Sequence, residues 1–441
     1  MVYPQTKLTK TVRRGIMFFL IACFFIISPI IILYTTGYRY DFSTQQIRQT
    51  GVISIDVEPS KTQVFLNNVK IKKNLPLRLT NRAPGTYTVK LTLSGYQDWQ
   101  KDITVESKKT TYIKNITLFK QALPILVTTN LKTAIVDMQT SYNGAYILIT
   151  TKADNIYEIH LLNTSNNELF SIIRSKIDKI PEISWSPYAN FALIKTQNNN
   201  KQQTLELFNP LTPENSKTYT FFTPIEDYQW SKNTFNSTVY IKQNNQFKSL
   251  SNNEQRSLNI VPSDIWFIDN NNIWSYSNKN LVKNNETKFA LRDKDEIRKI
   301  IDVNNNRIIA QSDWHTYVFK LKDGEITNSQ ILPTQHVFYN QNTAEWQTWS
   351  WWELWTIYED GSTSLLTRTS DKIIQLWPLD KYGVLALTSE NKITGFNPGY
   401  YVSHELLHDT EIKQIGVNPH ERKIFFLGRV GQTTGLFELE Y

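Results

Sequence analysis

The sequence predicts an all-β protein held to a membrane by one N-terminal helix: a small β-sandwich, then a β-propeller of seven or eight blades, eight favoured. Three observations carry this. Residues 15–34 run for twenty positions without a charge. From Gly51 to about residue 105, apolar and polar residues alternate with the period of two that half-buried strands require. Beyond residue 120 a unit of roughly 40 residues returns, the spacing of propeller repeats.

At ~1.5 Å per residue, residues 15–34 make a helix ~30 Å long, which matches the hydrocarbon core of a bilayer. Residues 1–14 carry Lys7, Lys10, Arg13 and Arg14 and no acid. Short basic flanks stay cytoplasmic, so the expectation is a single-pass protein of the cell membrane, N-terminus inside and everything after Tyr34 extracytoplasmic. A cleavable signal has an apolar core of ~7–15 residues and a small-residue cleavage site. This run is longer and leaves as Tyr34-Thr35-Thr36-Gly37, which favours retention. Leu20-Ile21-Ala22-Cys23 has the form of a lipobox, but a long uncharged stretch follows Cys23 where a lipoprotein turns polar. Pro29 is tolerated where neighbouring groups satisfy the freed carbonyl.

A chain of 441 residues implies two or three domains. Its 13% aromatic and 40% hydrophobic content excludes general disorder, while the Asn tracts at 198–200, 270–272 and 304–306 mark loops. Cys23 is the sole cysteine, which excludes an internal disulfide and a thiolate metal cluster. Of the formal charge of +8, residues 1–40 supply +5 and residues 41–120 supply +7, leaving −4 for the rest. A basic domain beside a membrane can lean on anionic headgroups at about 1 kcal/mol per cation, or simply present a solvated face. Nucleic acid is not expected as a partner of a chain whose basic part is membrane-proximal and extracytoplasmic.

Residues 35–50 read as a linker whose aromatics suit a membrane interface. Residues 51–120 read as a sandwich of antiparallel strands: Val52-Ile53-Ser54-Ile55-Asp56-Val57, Gln63-Val64-Phe65-Leu66, Tyr87 to Leu93 and Ile103-Thr104-Val105. Turns fall at Glu58-Pro59-Ser60, Asn67-Asn68, Ala83-Pro84-Gly85 and Ser94-Gly95-Tyr96. Gly51, Pro59, the Asn67-Asn68 turn, Leu75-Pro76-Leu77, Pro84-Gly85-Thr86-Tyr87 and Gly95-Tyr96 with Trp99 together resemble the PEGA domain. The resemblance implies an envelope or carbohydrate-associated role and carries no catalytic residue. Asn68 stands where that family often has Gly, which the left-handed tolerance of Asn permits. Tyr96 and Trp99 either cap the sandwich core or stack on a sugar.

In residues 121–441, Ile183-Ser184-Trp185-Ser186-Pro187 with the apolar strand that follows pairs with Ile415-Gly416-Val417-Asn418-Pro419 and its own. Weaker copies place first strands near 136, 183, 228, 266, 301, 338, 375 and 415, with the units at 228 and 266 degenerate enough to leave seven open. Third and fourth strands recur as well, around turns at residues 163–167, Asp323-Gly324 and Asp360-Gly361; one such third strand is 155–162. Four antiparallel strands make a blade. The last unit has three strands, and an orphan strand at residues 123–129 is available to complete it and close the ring. The units resemble the WD-repeat-like and Trp-Ser-Pro repeats of bacterial surface propellers, a likeness of fold that does not give function.

His404-Glu405-Leu406-Leu407-His408 has the spacing of a zinc-protease helix. The repeat, however, aligns Glu405 to Asp409 with Ser171-Ile172-Ile173-Arg174-Ser175, a fourth strand, where the two His lie ~13 Å apart. Asp302-x-Asn304-x-Asn306 starts like a calcium loop but has Arg307 at the place of its glycine. No Gly-rich phosphate loop or Ser elbow occurs. Trp346, Trp349, Trp351, Trp352 and Trp355 crowd ten residues, divided between inter-blade core and an outward stacking platform.

The expectation is therefore a non-catalytic binding or scaffolding protein of a bacterial cell envelope, with no cofactor, no metal and no catalytic residue. Its partner is either an envelope protein or a cell-surface glycan. Tyr96, Trp99, Trp346, Trp349, Trp351, Trp352 and Trp355 are the ligand-binding candidates. The alternative is an envelope hydrolase with its site in the propeller channel, glycan-cleaving or a zinc peptidase using His404, Glu405 and His408.

Overall fold

The computed structural model describes residues 9–41, 45–127, 133–154, 156–174, 179–198, 202–232, 238–251, 254–259, 263–269, 272–291 and 296–441. Of the residues singled out above, Lys7, Thr128, Thr129, Asn155, Ser175, Asn199, Asn200, Asn270 and Asn271 lie outside this set. The chain divides into two compact units, Met1–Leu118 and Phe119–Tyr441.

In the first unit an uninterrupted helix spans Lys10–Thr35, and none of its residues is buried by the rest of the chain. Its 26 residues give ~39 Å, long and apolar enough to cross a membrane. Gly37, at φ +88°, ends it in the left-handed conformation that Gly adopts without strain. Arg39 then closes the C-terminus: its guanidinium sits 3.6 Å from the Tyr34 ring centroid and donates to the Tyr34 carbonyl at 2.6 Å. A cation is favoured there by the free carbonyls and the helix dipole.

The supposed linker is more ordered than expected. Strands β1 (Tyr38–Asp41) and β2 (Gln46–Gln49) pair as an antiparallel hairpin. The sandwich follows with β3 (Gly51–Glu58), β4 (Gln63–Leu66), β5 (Val69–Lys70), β6 (Leu77–Arg82), β7 (Gly85–Thr92), β8 (Trp99–Val105) and β9 (Thr110–Thr117). One sheet has the order β6-β3-β9 and the other β5-β4-β7-β8. Alternation drives Ile53, Ile55 and Val57 of β3 inward to meet Val89, Leu91, Trp99 and Val105 of the second sheet in a buried set. Asn67 and Asn68 both take positive φ in the β4–β5 turn, as the Asn-for-Gly exchange requires. One expectation fails: β9 lies parallel to β3, with Val52 opposite Thr110 and Ile55 opposite Ile113. The chain crosses over after β8 to reach β3, a pairing no local pattern encodes.

Among its described residues, the second unit has eight four-stranded antiparallel sheets. Their first strands are Ala134–Thr140, Glu182–Trp185, Asp227–Trp230, Ile265–Asp269, Lys299–Val303, His336–Asn340, Gln375–Pro378 and Glu411–Asn418. The eighth sheet is composite: Ile125 pairs with Glu438 and Leu126 with Phe437, so a strand from the start of the unit completes the last three. A buried apolar cluster sits between every neighbouring pair of sheets, from Leu148 and Ile159 against Ile183 and Ile194 round to Phe425 and Leu436 against Ile147 and Met138. The eighth sheet therefore packs on both the seventh and the first, and the ring is closed without a free sheet face.

Polar repeats lock neighbouring first strands. Gln229 exchanges hydrogen bonds with the backbone of Ile268, donating at 2.9 Å and accepting at 2.8 Å. Gln375 accepts from the Ile415 amide at 3.0 Å and Gln414 from the Met138 amide at 2.9 Å. The repeat tryptophans act likewise: Trp185 donates to the Gln139 carbonyl at 2.8 Å, and Trp230 to the Ser184 hydroxyl at 3.4 Å. Each joins its blade to the one before it, which explains why an amphipathic indole recurs at that position.

Candidate functional site

Trp346 and Trp349 lie in the strand Glu345–Trp349 of the sixth sheet, three positions apart and so on opposite faces. Trp346 enters the cluster with Ile309, Val318 and Leu332 of the fifth sheet, and Trp349 the cluster with Ile373, Leu376 and Leu385 toward the seventh. Both are buried, which withdraws them from the ligand-binding candidates: their rings are inter-blade core. Trp355 is half-buried beside Trp346, its indole donating to Glu353 at 3.0 Å.

Trp351 and Trp352 behave differently. They form the turn between Glu345–Trp349 and Glu353–Ile357 and are 50% and 49% exposed. The turn is fixed at both ends. The Ser350 amide donates to the Glu353 carbonyl at 2.9 Å, and the Ser350 hydroxyl accepts from the Glu353 amide at 3.2 Å. The carbonyls of Trp352 and Trp351 accept from the amides of Thr369 and Ile373, at 3.0 and 2.9 Å, which staples the turn to the connection between the sixth and seventh sheets. Lys372 places its ammonium 3.8 Å from the Trp351 ring centroid. Arg368 donates to Glu353 at 2.8 Å, and this bond, with that from Trp355, holds the Glu353 carboxyl below its ordinary range.

Beside this turn lies a cleft of about 300 Å³ lined by residues 367–373, by Leu387, Thr388 and Ser389, and by Lys392, Thr394, Phe396 and Ser403. Seven of its fourteen lining residues are Ser or Thr, and Lys392 pairs with Asp371 at 3.1 Å and Glu405 at 3.5 Å. The sequence singles out Trp351 and Trp352, which the structure leaves half exposed, and gives no sign of the cleft, whose walls come from two blades and carry no motif.

In the sandwich, Trp99 is 1% exposed and opposes Leu91 across β7 and β8, so it is core and not a sugar platform. Tyr96 is half-buried in the turn before β8, where Gly95 takes φ +80°.

His404 lies in the strand Val402–Leu407, as the repeat alignment expected, rather than on a helix. Its ring packs on Phe119 with centroids 5.5 Å apart, and burial lowers its pKa from the ordinary value. His408 lies beyond the strand, exposed and 3.1 Å from Asp409, while Glu405 pairs with Lys392. Among the described residues no group of three His, Cys, Asp or Glu is placed to hold a metal ion.

The aborted calcium loop has a physical sequel. Asp302 is buried, and Arg307, the residue at the glycine position, donates to its Oδ2 at 2.6 Å. The Trp346 indole donates to the same oxygen at 3.0 Å, and Lys232 reaches Oδ1 at 2.6 Å and Asp269 at 3.6 Å. Tyr188 stacks at a tilt on Tyr339, 5.7 Å between centroids, and burial followed by the Asp302 charge raises its pKa well above the ordinary value. Gln341 of the sixth sheet donates to the Pro187 carbonyl of the second at 3.0 Å. Residues from the third to the sixth sheets thus share one network of ion pairs and hydrogen bonds around Asp302, with Tyr188 of the second buried near its charge. The protein supplies, in Arg307 and Lys232, the cations that a loop metal would have supplied.

Residues 50–121 match the model of the PEGA domain. Among curated proteins no match is found. Among solved structures, the β-propeller domain of Cps50 (Swd1) from Myceliophteria thermophila is 12% identical, covering 72% of this chain and 99% of that one with a TM-score of 0.45. Hsv2 of Kluyveromyces lactis is 13% identical, covering 70% and 98% with a TM-score of 0.36. A chain in a crystal structure of the mitotic checkpoint complex is 9% identical, covering 62% and 88% with a TM-score of 0.39. The chain thus carries a segment that matches the PEGA domain, followed by a closed ring of four-stranded sheets, a β-propeller.

Proposed function

We propose that this is a non-catalytic binding or scaffolding protein of a bacterial cell envelope. Residues 15–34 anchor it in the cell membrane in a single pass, and the PEGA domain and an eight-bladed propeller are displayed on the extracytoplasmic side. The observation that carries the reading is the pair Trp351 and Trp352: two large aromatic side chains, half exposed, on a turn held by backbone hydrogen bonds. Exposed tryptophan on a rigid support is the typical anchor of a recognition surface. The buried Asp302 supports no hydrolase by comparison, since its carboxylate is committed to Arg307, Lys232 and Trp346. The anchor reading is supported by the apolar helix and its basic N-terminal flank.

The test is a photoreactive residue at position 352 of the full-length protein in intact cells of its source, with a second at Leu211, an exposed position on the second sheet, as control. A discrete cross-linked envelope component from position 352, absent from position 211, is the expected result. Equal, diffuse cross-linking from both positions contradicts the reading.

A further inference from the structure

The end of the sandwich that meets the helix is basic, and hydrogen bonds fix where its charges lie. The Gly37 carbonyl accepts from the Thr50 amide at 2.9 Å, and the Lys108 amide donates to the Thr50 carbonyl at 3.0 Å. Arg39 adds another tie: its Nε donates to Asn81 Oδ1 at 3.0 Å while its Nη1 donates to the Tyr34 carbonyl at 2.6 Å. Register gathers the same segments from the sandwich side, with Gly51 opposite Arg82 and Val52 opposite Thr110. The helix exit, the end of β6 and the β8–β9 turn thus make up one end of the first unit. We propose that this end docks on the bilayer surface by binding the phosphates of anionic phospholipid headgroups. The proposal rests on the anchor reading given above and adds the lipid class that the anchored protein selects.

Position is the first observation. With residues 15–34 filling the hydrocarbon core, Gly37 stands three residues beyond its boundary, ~4.5 Å of helix rise, inside a headgroup layer of ~5–7 Å. A Cβ on Gly37 would lie 3.6 Å from Lys108 Cγ, so the Lys108 side chain starts at the depth of the headgroups. A polyanion in solution requires no such depth, whereas a lipid phosphate is found there.

Charge is the second. Residues 37–51, 81–85 and 105–110 carry Arg39, Arg48, Arg82, Lys108 and Lys109 against Asp41 and Glu106, which is 5 − 2 = +3. Glu106 pairs with Lys109 at 2.6 Å, on side chains more than half exposed. The acceptors of Arg39 are all neutral: Asn81 Oδ1 and the carbonyls of Tyr34 and Tyr38. The Lys108 ammonium faces the Tyr38 ring, 5.6 Å from its centroid. Among the described residues neither Arg39 nor Lys108 has a carboxylate partner, and both retain donors that suit a phosphate.

The hairpin supplies the third. Arg39 and Arg48 oppose each other and share one face, whereas Tyr40 and Ile47 oppose each other on the other face, 51% and 56% exposed. Exposed aromatic and aliphatic side chains beside cations are the composition of a segment that lies in a membrane interface.

The experiment places the full-length protein in nanodiscs of phosphatidylcholine alone or of phosphatidylcholine with phosphatidylglycerol, and follows hydrogen exchange in residues 45–52 and 104–112. Exchange there should slow by about threefold or more in the anionic discs, in line with the attraction of several cations to such a surface. The triple variant Arg48→Gln, Lys108→Gln, Lys109→Gln should lose this slowing. Lys61→Gln, Lys72→Gln, Lys73→Gln should keep it, because it removes the same charge from the β3–β4 and β5–β6 connections at the opposite end. All six positions are exposed, so neither variant should unfold measurably earlier than the parent. Inserted protein that exchanges equally in both discs overturns the inference, and so does equal loss of the effect in both variants. Slowing produced in phosphatidylcholine discs by soluble poly(glycerol phosphate), with phosphatidylglycerol ineffective, also overturns it and assigns the cations to an envelope polymer. Protein that does not insert into either disc contradicts the anchor reading as well, a result distinct from the others.

Discussion

Arg307 Nη1 lies 2.6 Å from Asp302 Oδ2, both side chains being at most 5% exposed. The pair spans the turn of the fifth blade and is extended by Lys232 from the third and Trp346 from the sixth. A charge pair so deeply buried adds little net stability over an apolar substitute, but breaking it is expensive because the surviving charge stays desolvated.

Asp302→Asn should therefore destabilise the propeller by ~3–5 kcal/mol, leaving Arg307 without its anion and Lys232 with Asp269 alone at 3.6 Å. Urea unfolding followed by tryptophan fluorescence checks this. Arg307→Met combined with Asp302→Leu should cost clearly less than either charge removed alone.

Gly144 lies in the first blade at φ +76°, where a Cβ would stand 1.8 Å from the Val417 carbonyl oxygen of the eighth. Neither position is a flexible side chain, so the close approach that joins the two ends of the ring has no slack. Gly144→Ala should cost roughly 2–4 kcal/mol, at the severe end of single substitutions, and proteolysis should release fragments from the first blade before any other.

His336 and His404 both have pKa values lowered by burial from the ordinary 6.5, His336 against Trp349 and His404 against Phe119. In the unfolded chain each binds a proton at higher pH than in the folded one. Stability is then complete above about pH 6.5 and falls as pH drops from there through the folded-state values. His404→Phe should keep the ring packing and reduce this slope, read as the pH dependence of the urea midpoint between pH 7 and 5. An unchanged slope would show that His404 titrates normally.

The ring was legible to the extent that its signals are local. Each predicted first-strand position falls within or next to an observed first strand, and the orphan strand at its predicted place pairs with the last sheet. Asn244-Asn245 and Asn284-Asn285 supply paired positive φ values in the two units that looked degenerate, doing with Asn what Asn-Gly does elsewhere. Asp323-Gly324 is such a turn too, whereas only Gly361 of Asp360-Gly361 is left-handed and that turn is longer. The division of the tryptophans followed from strand alternation once the turn at Ser350 to Trp352 was placed. What stayed hidden joins distant segments: β9 beside β3, Lys232 beside Asp302, and a cleft whose walls come from two blades. Composition and periodicity carry no register between residues so far apart.

Display outside the membrane is the claim on which the functional account stands, and labelling tests it most directly. In a Cys23→Ser background, Asn215→Cys places a thiol on an exposed turn of the second blade. The account predicts that a membrane-impermeant maleimide labels intact cells at this position, and that the full-length protein stays in the membrane fraction after an alkaline wash. Labelling that appears only after lysis, or a shortened protein released into the soluble fraction, would contradict it.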